Sequence, residues 1–224
     1  MLLFYLRFYP ESIAHMARKT KEDALETRNR ILDAAEVVFQ RNGVSRTSLA
    51  DIATEAGVTR GAIYWHFEHK VDLYDAMIQR IIAPFELRLE ELLQHQQDNP
   101  LEFVRNLVLS ILHDLVHDPR HFRVLEIAWH KCEYVGEMAR IRDQHMECGN
   151  RFLDIMEKAL QLALERGYLG KNACPRRASI GLMALMDGLV VNWTLNPNLF
   201  PLDEMASNLV DTFIAGLNAP AQAH

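Results

Sequence analysis

Apolar residues recur at intervals of three and four along most of this chain, and no segment shows the apolar and polar alternation of a half-buried strand. The pattern predicts an all-α fold of about nine helices, which begin or end at glycine and proline positions. The expected helices cover about 21–41, 48–56, 60–66, 70–94, 101–116, 119–132, 137–166, 175–195 and 202–217.

The stretch 47–70, TSLADIATEAGVTRGAIYWHFEHK, predicts two short helices joined by a tight turn. Ser48 can cap the first helix, with Asp51 three residues later, and Thr59 can cap the second. Gly57 stands where a helix commonly ends in a left-handed residue. Such a unit is a helix-turn-helix, whose second helix fits the major groove of DNA.

Several side chains of this unit can face DNA. Ile63 and Phe67 are four residues apart and are expected to point into a small core, which leaves the rest of the second helix facing outward. Arginine reads guanine edges or holds phosphates, tyrosine and histidine donate to phosphates, and glycine lets the backbone approach closely. The candidate DNA-binding residues are Thr47, Ser48, Thr59, Arg60, Gly61, Tyr64, Trp65, His66 and Lys70.

The segment 58–67, with Lys70 after it, resembles the DNA-binding signature of the TetR family of bacterial repressors, and most closely the AcrR-like multidrug-efflux branch. The resemblance extends over 16–218. It implies a three-helix DNA-binding domain, followed by a helical domain for effector binding and dimerisation. It also implies that the fourth helix, which Pro84 should bend, transmits the signal between them. Further similarities are Arg18-Lys19-Thr20-Lys21, Thr27-Arg28, Ile31-Leu32, Gly43-Val44 and His130-Lys131-Cys132-Glu133.

The expected organisation is an extension over 1–15, a DNA-binding domain over 16–69 and an effector and dimerisation domain over 70–224. The extension has a short apolar run and no small-residue cleavage site, which argues against a signal peptide. We expect Met16 to be the physiological start. The basic residues that follow form an arm that either reaches neighbouring DNA or is a solvated tail: Arg18, Lys19 and Lys21.

Charge is unevenly distributed along the 224 residues. The net charge is −6, yet 16–70 hold nine basic and eight acidic residues, whereas 71–224 hold fourteen and twenty-one. The acidity therefore belongs to the second domain, and the total charge neither proves nor excludes nucleic-acid binding. With 49% hydrophobic residues, the chain can form a buried core.

The family resemblance places an effector pocket between the helices that follow Phe85. Methionine and tryptophan form adaptable apolar walls, and a carboxylate can orient a cationic or hydroxylated compound. For each candidate taken alone, packing in an ordinary core is the competing interpretation. The candidates, chosen by residue type and expected position, are Leu125, Glu126, Trp129, Met183, Met186, Asp187 and Val190.

The last two predicted helices carry wide apolar faces. In the family that the chain resembles, these helices pair with their copies in a four-helix bundle, and this two-fold symmetry suits a palindromic operator. A purely intramolecular core is the alternative. The candidate dimer residues are Leu182, Leu185, Leu189, Trp193, Leu209, Phe213 and Leu217.

The three cysteines are too few, and odd in number, for a disulfide framework, which favours a reducing cytoplasm. The apolar stretch 180–195 contains Asp187 and Asn192 and is expected to be too short for a membrane span. We therefore expect no membrane association. Without a base, a third group and an oxyanion site beside Cys132, an enzyme is the least supported function.

Three histidines stand four residues apart, a spacing that can place metal ligands on one helical face. Pro119 is expected to break the helix between the second and the third, and no cysteine or glutamate stands in register. The sequence therefore predicts neither a metal site nor a cofactor at His113, His117 and His121.

These observations predict a homodimeric repressor that binds a pseudo-palindromic operator in double-stranded DNA. A lipophilic small molecule would release it, and the resemblance to the AcrR-like branch implies that the controlled genes encode a multidrug efflux pump. The main alternative is a related regulator of metabolic genes that responds to a fatty-acyl or other metabolite. A hydrophobic-ligand carrier without a DNA role is more distant.

Overall fold

The computed structural model describes residues 10–94, 99–134 and 139–217. Within these residues the fold contains nine α-helices and no strand, which confirms the all-α prediction. Apart from the start of the first helix, the predicted bounds agree to within about two residues. The helices are α1 (Pro10–Asn42), α2 (Leu49–Ala56), α3 (Arg60–His66), α4 (Lys70–Gln94), α5 (Pro100–His117), α6 (Pro119–His130), α7 (Ala139–Glu165), α8 (Pro175–Leu195) and α9 (Leu202–Gly216).

Helix α1 starts at Pro10, well before the predicted start at position 21. Proline suits the first turn of a helix, and the next 32 residues contain neither glycine nor proline. The prediction of a basic arm before the first helix is therefore wrong, because Arg18, Lys19 and Lys21 lie within α1. Residues 1–9 of the predicted extension lie outside the described residues.

Local capping builds the helix-turn-helix as the sequence predicted. The Ser48 hydroxyl accepts a hydrogen bond from the Asp51 N–H at 3.2 Å, and the Ser48 N–H donates to the Asp51 carboxylate at 2.8 Å. Gly57 ends α2 with φ of +63°, a left-handed conformation that glycine adopts without strain. The Thr59 hydroxyl caps α3 by accepting from the Ala62 N–H at 3.1 Å.

Two apolar cores hold the chain together. The first joins α1–α4 and also contains Val124 and Ile127 of α6 and Ile141 of α7. The second joins residues of α5, α7, α8 and α9, including Leu112, Leu160, Leu182 and Val210. Because α6 contributes to the core of the DNA-binding helices, a displacement of α6 acts directly on that core.

Helix α8 is longer than the apolar stretch 180–195, because it begins at Pro175. By length and composition it could cross a membrane, which corrects the expectation that it is too short, and 39% of its most apolar window is buried inside the protein. It contacts α5, α6, α7 and α9, as a core helix of a helical bundle does.

Candidate functional site

Helix α3 presents its polar and aromatic side chains to solvent. Ile63 is fully buried, whereas Tyr64 and Trp65 are 57% and 72% exposed. Arg60 and Gly61 are exposed at the start of the helix. Ser48 and Thr59 are also exposed, so six of the nine candidate DNA-binding residues are accessible to a partner.

Thr47 takes a different role from the one expected, and Lys70 makes hydrogen bonds within the protein. The Thr47 side chain is buried, and its hydroxyl donates to the Gly43 carbonyl oxygen at 2.8 Å. The Lys70 ammonium donates to the carbonyl oxygens of Thr47 at 2.9 Å and Ser45 at 3.3 Å. Both side chains stabilise the turn before α2, which corrects Thr47 as a side-chain contact to DNA. Lys70 is the first residue of α4, so its hydrogen bonds hold the start of α4 against this turn.

His66 is half-buried at the end of α3. Burial and the neighbouring Arg28 guanidinium hold the pKa of His66 below its usual range. Arg28 itself lies over the Phe67 ring, with its guanidinium carbon 5.1 Å from the ring centre. At neutral pH, His66 is therefore an uncharged hydrogen-bonding group.

A cavity of about 550 Å³ lies among α4, α5, α6, α7 and α8. Its walls are largely apolar, and six of the seven candidate effector residues line it: Leu125, Trp129, Met183, Met186, Asp187 and Val190. Glu126 does not line it, because its carboxylate accepts a hydrogen bond from the Gln40 amide of α1 at 2.7 Å. The prediction that Glu126 lines the cavity is therefore wrong, and Glu126 instead joins α6 to α1.

The cavity lining contains two carboxylates, Asp75 and Asp187, together with Arg151 and His121. Burial raises the pKa of Asp187 to about 6. Burial also raises the pKa of Asp75, an effect that the Arg151 guanidinium opposes. The part of the cavity around Asp187 is therefore suited to neutral or cationic molecules with an extended apolar surface.

The sequence reasoning missed the contributions of α4 and α7 to this cavity. Their lining residues have ordinary helical spacing, so nothing in the sequence separates a cavity wall from a packed core. The apolar ones are Ile78, Ile81, Ile82, Ile141, Met146, Phe152, Leu153 and Ile155.

Helix α6 connects the cavity to the DNA-binding helices. Besides the Gln40–Glu126 bond, the Val44 N–H after α1 donates to the Lys131 carbonyl oxygen after α6 at 2.8 Å. Glu36 of α1 is only 1% exposed, and its carboxylate lies 2.8 Å from the Arg80 guanidinium of α4. The Arg120 and Arg123 guanidinium groups of α6 lie 3.3 and 3.5 Å from the same carboxylate.

None of the predicted dimer residues of α8 and α9 is fully exposed on the protomer. Leu182 is 1% exposed in the core of its own protomer, which removes it as an interface residue. Trp193 packs edge-on against Phe122, and Phe213 lies directly over Gly181, all within one protomer. The candidates Leu185, Leu189, Leu209 and Leu217 are partly buried. Five exposed residues of α8, three or four apart, form a stripe: Ile180, Ala184, Gly188, Asn192 and Leu195.

Cys132 is partly buried near Tyr74. Burial raises the pKa of its thiol to about 11, so the group is a neutral thiol at physiological pH and a poor nucleophile.

Two known protein families match the two parts of this chain. The family described as bacterial regulatory proteins, tetR family, matches residues 31–77, and the family described as MAATS-type transcriptional repressor, C-terminal region, matches residues 99–219. The chain belongs to the TetR family. The TetR match spans the complete helix-turn-helix, and the second match covers α5–α9.

Individual relatives place the chain near repressors of multidrug efflux. The transcriptional regulator AcrR of Shigella flexneri is 40% identical over 196 residues, which are 87% of this chain and 91% of AcrR. NalD of Pseudomonas aeruginosa, the secondary repressor of the MexAB-OprM multidrug efflux pump, is 35% identical with a TM-score of 0.79. The alignment covers 88% of this chain and 98% of NalD.

A third relative is known in a ligand complex. SmeT, the repressor of the Stenotrophomonas maltophilia multidrug efflux pump SmeDEF, has been solved with triclosan. That complex is 31% identical to this chain with a TM-score of 0.79, and the alignment covers 88% of this chain and 96% of SmeT. The resemblance to AcrR-like TetR repressors is therefore confirmed, and the protein is a transcriptional repressor rather than an enzyme.

Proposed function

We propose that this TetR-family repressor binds a pseudo-palindromic operator as a homodimer and leaves it when a lipophilic, neutral or cationic compound fills the cavity. The observation that carries the proposal is the position of α6. One face of α6 lines the cavity through Leu125 and Trp129, and Glu126 on another face bonds to Gln40 of the DNA-binding helices.

This arrangement supports a mechanical account of release. A compound that enters between α4 and α8 presses on Leu125 and Trp129, and α6 cannot move without disturbing Glu126, Lys131 and the core residues Val124 and Ile127. The ligand must bind more tightly to the conformation in which the two copies of α3 are wrongly spaced for DNA. Only that difference in affinity shifts the equilibrium.

The chemistry of the cavity supports a particular class of effector. Asp187 has a partly desolvated carboxylate, and a cationic ligand would compensate its charge. A fatty-acyl carboxylate would instead add a second anion beside it. The environment of Asp187 therefore supports the drug-responsive function over the metabolic alternative.

Operator binding by a symmetric dimer is supported by the exposed surfaces of α3 and α8. Two copies of α3 can read two half-sites only if a two-fold axis relates them at about one turn of DNA. The exposed stripe of α8 contains two small residues, Ala184 and Gly188, which would let a second copy approach closely. Arg60 and Tyr64 would then contact bases and phosphates in the cytoplasm.

Control of an efflux operon is supported by the relatives. NalD and SmeT are described as repressors of multidrug efflux pumps, and SmeT has been solved with triclosan, a lipophilic compound. An efflux pump is a suitable target, since the signal that releases the repressor would also be a substrate to expel.

Fluorescence anisotropy on a labelled fragment of the gene's own upstream region tests the proposal. Binding at low salt, with release by triclosan or by the cation rhodamine 6G but not by stearate, is the expected result. Trp129→Ala should shift the releasing concentration and leave the affinity for DNA unchanged, whereas Tyr168→Ala, which changes an exposed aromatic outside the cavity, should alter neither. Failure to bind the fragment, or release by stearate alone, would overturn the proposal.

A further inference from the structure

Two histidines of α5 meet a carboxylate of α9 on the protein surface. His113 and His117 are one helical turn apart, and their ring centres lie 4.1 Å from each other. Asp203, in the first turn of α9, lies beside both. One Asp203 oxygen is 3.9 Å from His113 Nδ1, and the other is 3.6 Å from His117 Nε2.

The three groups have the spacing of a metal site. One ligand atom from each group lies within 4.8 Å of the other two. Tetrahedral zinc with bonds of about 2.0–2.2 Å places its ligand atoms roughly 3.4 Å apart, so small side-chain rotations would bring these atoms into coordination. All three side chains are exposed, and such rotations meet little resistance.

We propose that His113, His117 and Asp203 form a binding site for a divalent transition metal, with Zn²⁺ as the best fit. The two imidazole nitrogens and one carboxylate oxygen provide three protein ligands, and water completes the tetrahedron. Imidazole selects transition metals over Mg²⁺ and Ca²⁺, which prefer oxygen ligands. One carboxylate leaves the loaded site with a net positive charge.

The neighbouring contacts hold the ligands in register. Leu202 and Ala206 are buried on either side of Asp203 and fix the first turn of α9 against the rest of the bundle. Farther along the same pair of helices, the Arg105 guanidinium bonds to the Asp211 carboxylate through two nitrogens at 2.5 and 3.0 Å. His117 also lies in the last turn of α5, where the helix dipole favours a cation.

The third ligand explains why the sequence indicated no such site. The spacing of His113 and His117 points to one helical face, but no residue near them in sequence provides a third ligand. His121 belongs to α6 and pairs with Asp118 at 2.8 Å, so it does not join the cluster. Asp203 comes from a helix distant in sequence, which only the folded chain brings into place.

Isothermal titration of the tag-free, full-length protein with Zn²⁺ tests the proposal. We expect one ion per chain and a higher thermal unfolding temperature in the presence of Zn²⁺, because a ligand that binds only the folded state stabilises it. His117→Ala and Asp203→Asn should each weaken binding about tenfold or more and abolish the thermal shift, since even outer partners of metal ligands contribute this much.

His69→Ala is the matched control. His69 is also an exposed histidine beside a carboxylate, Glu68 at 3.7 Å, but it lacks a second imidazole, so this variant should bind Zn²⁺ as the unaltered chain does. Co²⁺ should give a tetrahedral absorption spectrum without a thiolate charge-transfer band, which separates this site from binding at cysteine. A thiolate band, no binding by the unaltered chain, or unchanged binding by both His117→Ala and Asp203→Asn would overturn the proposal.

Discussion

The side-chain amide of Gln40 in α1 donates a hydrogen bond of 2.7 Å to the carboxylate of Glu126 in α6. Leu125 and Trp129, on the same helix as Glu126, line the cavity. The bond therefore joins the wall of the cavity to the helices that carry α3. A movement of α6 that breaks it leaves two partly buried polar groups without each other, at a cost of about 1–3 kcal/mol.

Gln40→Leu should weaken the link between effector binding and DNA release. The ratio of operator affinities without and with saturating effector gives the coupling free energy between the two sites. We expect this coupling free energy to change by about 0.5–2 kcal/mol, while the affinity for the effector itself stays nearly constant. Anisotropy titrations measure the ratio. Arg41→Ala is the control, because Arg41 pairs with Glu55 within the DNA-binding helices. Equal ratios in Gln40→Leu and the unaltered protein would contradict the assigned role.

Replacing Glu36 should destabilise the protein more than replacing a residue of an exposed ion pair. Its carboxylate is buried and faces Arg80, Arg120 and Arg123, and burial raises the pKa of Glu36 despite these cations. Glu36→Ala leaves Arg80 and Arg120 with Asp33 as their remaining carboxylate and removes the carboxylate facing Arg123, and we expect a loss of about 2–4 kcal/mol in the free energy of unfolding.

The exposed pair Arg105–Asp211 provides the comparison for that measurement. Arg105→Ala removes an ion pair in which both side chains are more than a third exposed, and we expect a loss below about 1 kcal/mol. Urea unfolding followed by circular dichroism measures both variants. Similar losses in the two variants would show that the buried cluster contributes no more than a surface pair.

The helix-turn-helix could be predicted because its determinants are local. Ser48, Gly57 and Thr59 act on backbone groups within a few residues, so their roles follow from spacing alone. Glu126 and Leu182 could not be assigned, because their partners come from helices distant in sequence. An amphipathic pattern shows which residues are apolar, and it does not show whether a cavity, a core or a second copy covers them.

Asp187→Asn should stabilise the protein at alkaline pH. Burial raises the pKa of Asp187 from 3.8 to about 6, so the folded chain holds this proton more tightly than the unfolded chain does. The resulting stabilisation is complete below pH 3.8 and is lost as the pH rises through 6. We expect Asp187→Asn to gain about 1–2 kcal/mol at pH 8, after allowance for solvent screening. Thermal unfolding at several pH values measures the gain, which should shrink toward pH 5. A gain independent of pH would contradict the raised pKa of Asp187.

Lys70→Ala and Arg60→Ala should separate stability from DNA recognition. The Lys70 ammonium holds the Ser45 and Thr47 carbonyl oxygens, so its removal should lower the free energy of unfolding by about 1–3 kcal/mol. Arg60 is exposed and makes no such contribution to the fold. Its replacement should leave stability unchanged and reduce discrimination between operator variants by about 1–3 kcal/mol. Thermal unfolding and competition gel shifts measure the two effects, and a destabilised Arg60→Ala would contradict this division.

Gly188→Glu tests the dimer without damaging the protomer. A Cβ atom at Gly188 would meet nothing within 4 Å, so a longer side chain fits the isolated chain. In a dimer that packs α8 against its copy, two glutamates would meet near the two-fold axis, where like charges and added bulk prevent close approach. We expect light scattering to show a monomer that unfolds at the normal temperature but no longer binds the operator. Leu87→Glu places the same charge at an exposed position on α4 and should remain dimeric. A dimeric Gly188→Glu would exclude this face of α8 as the interface.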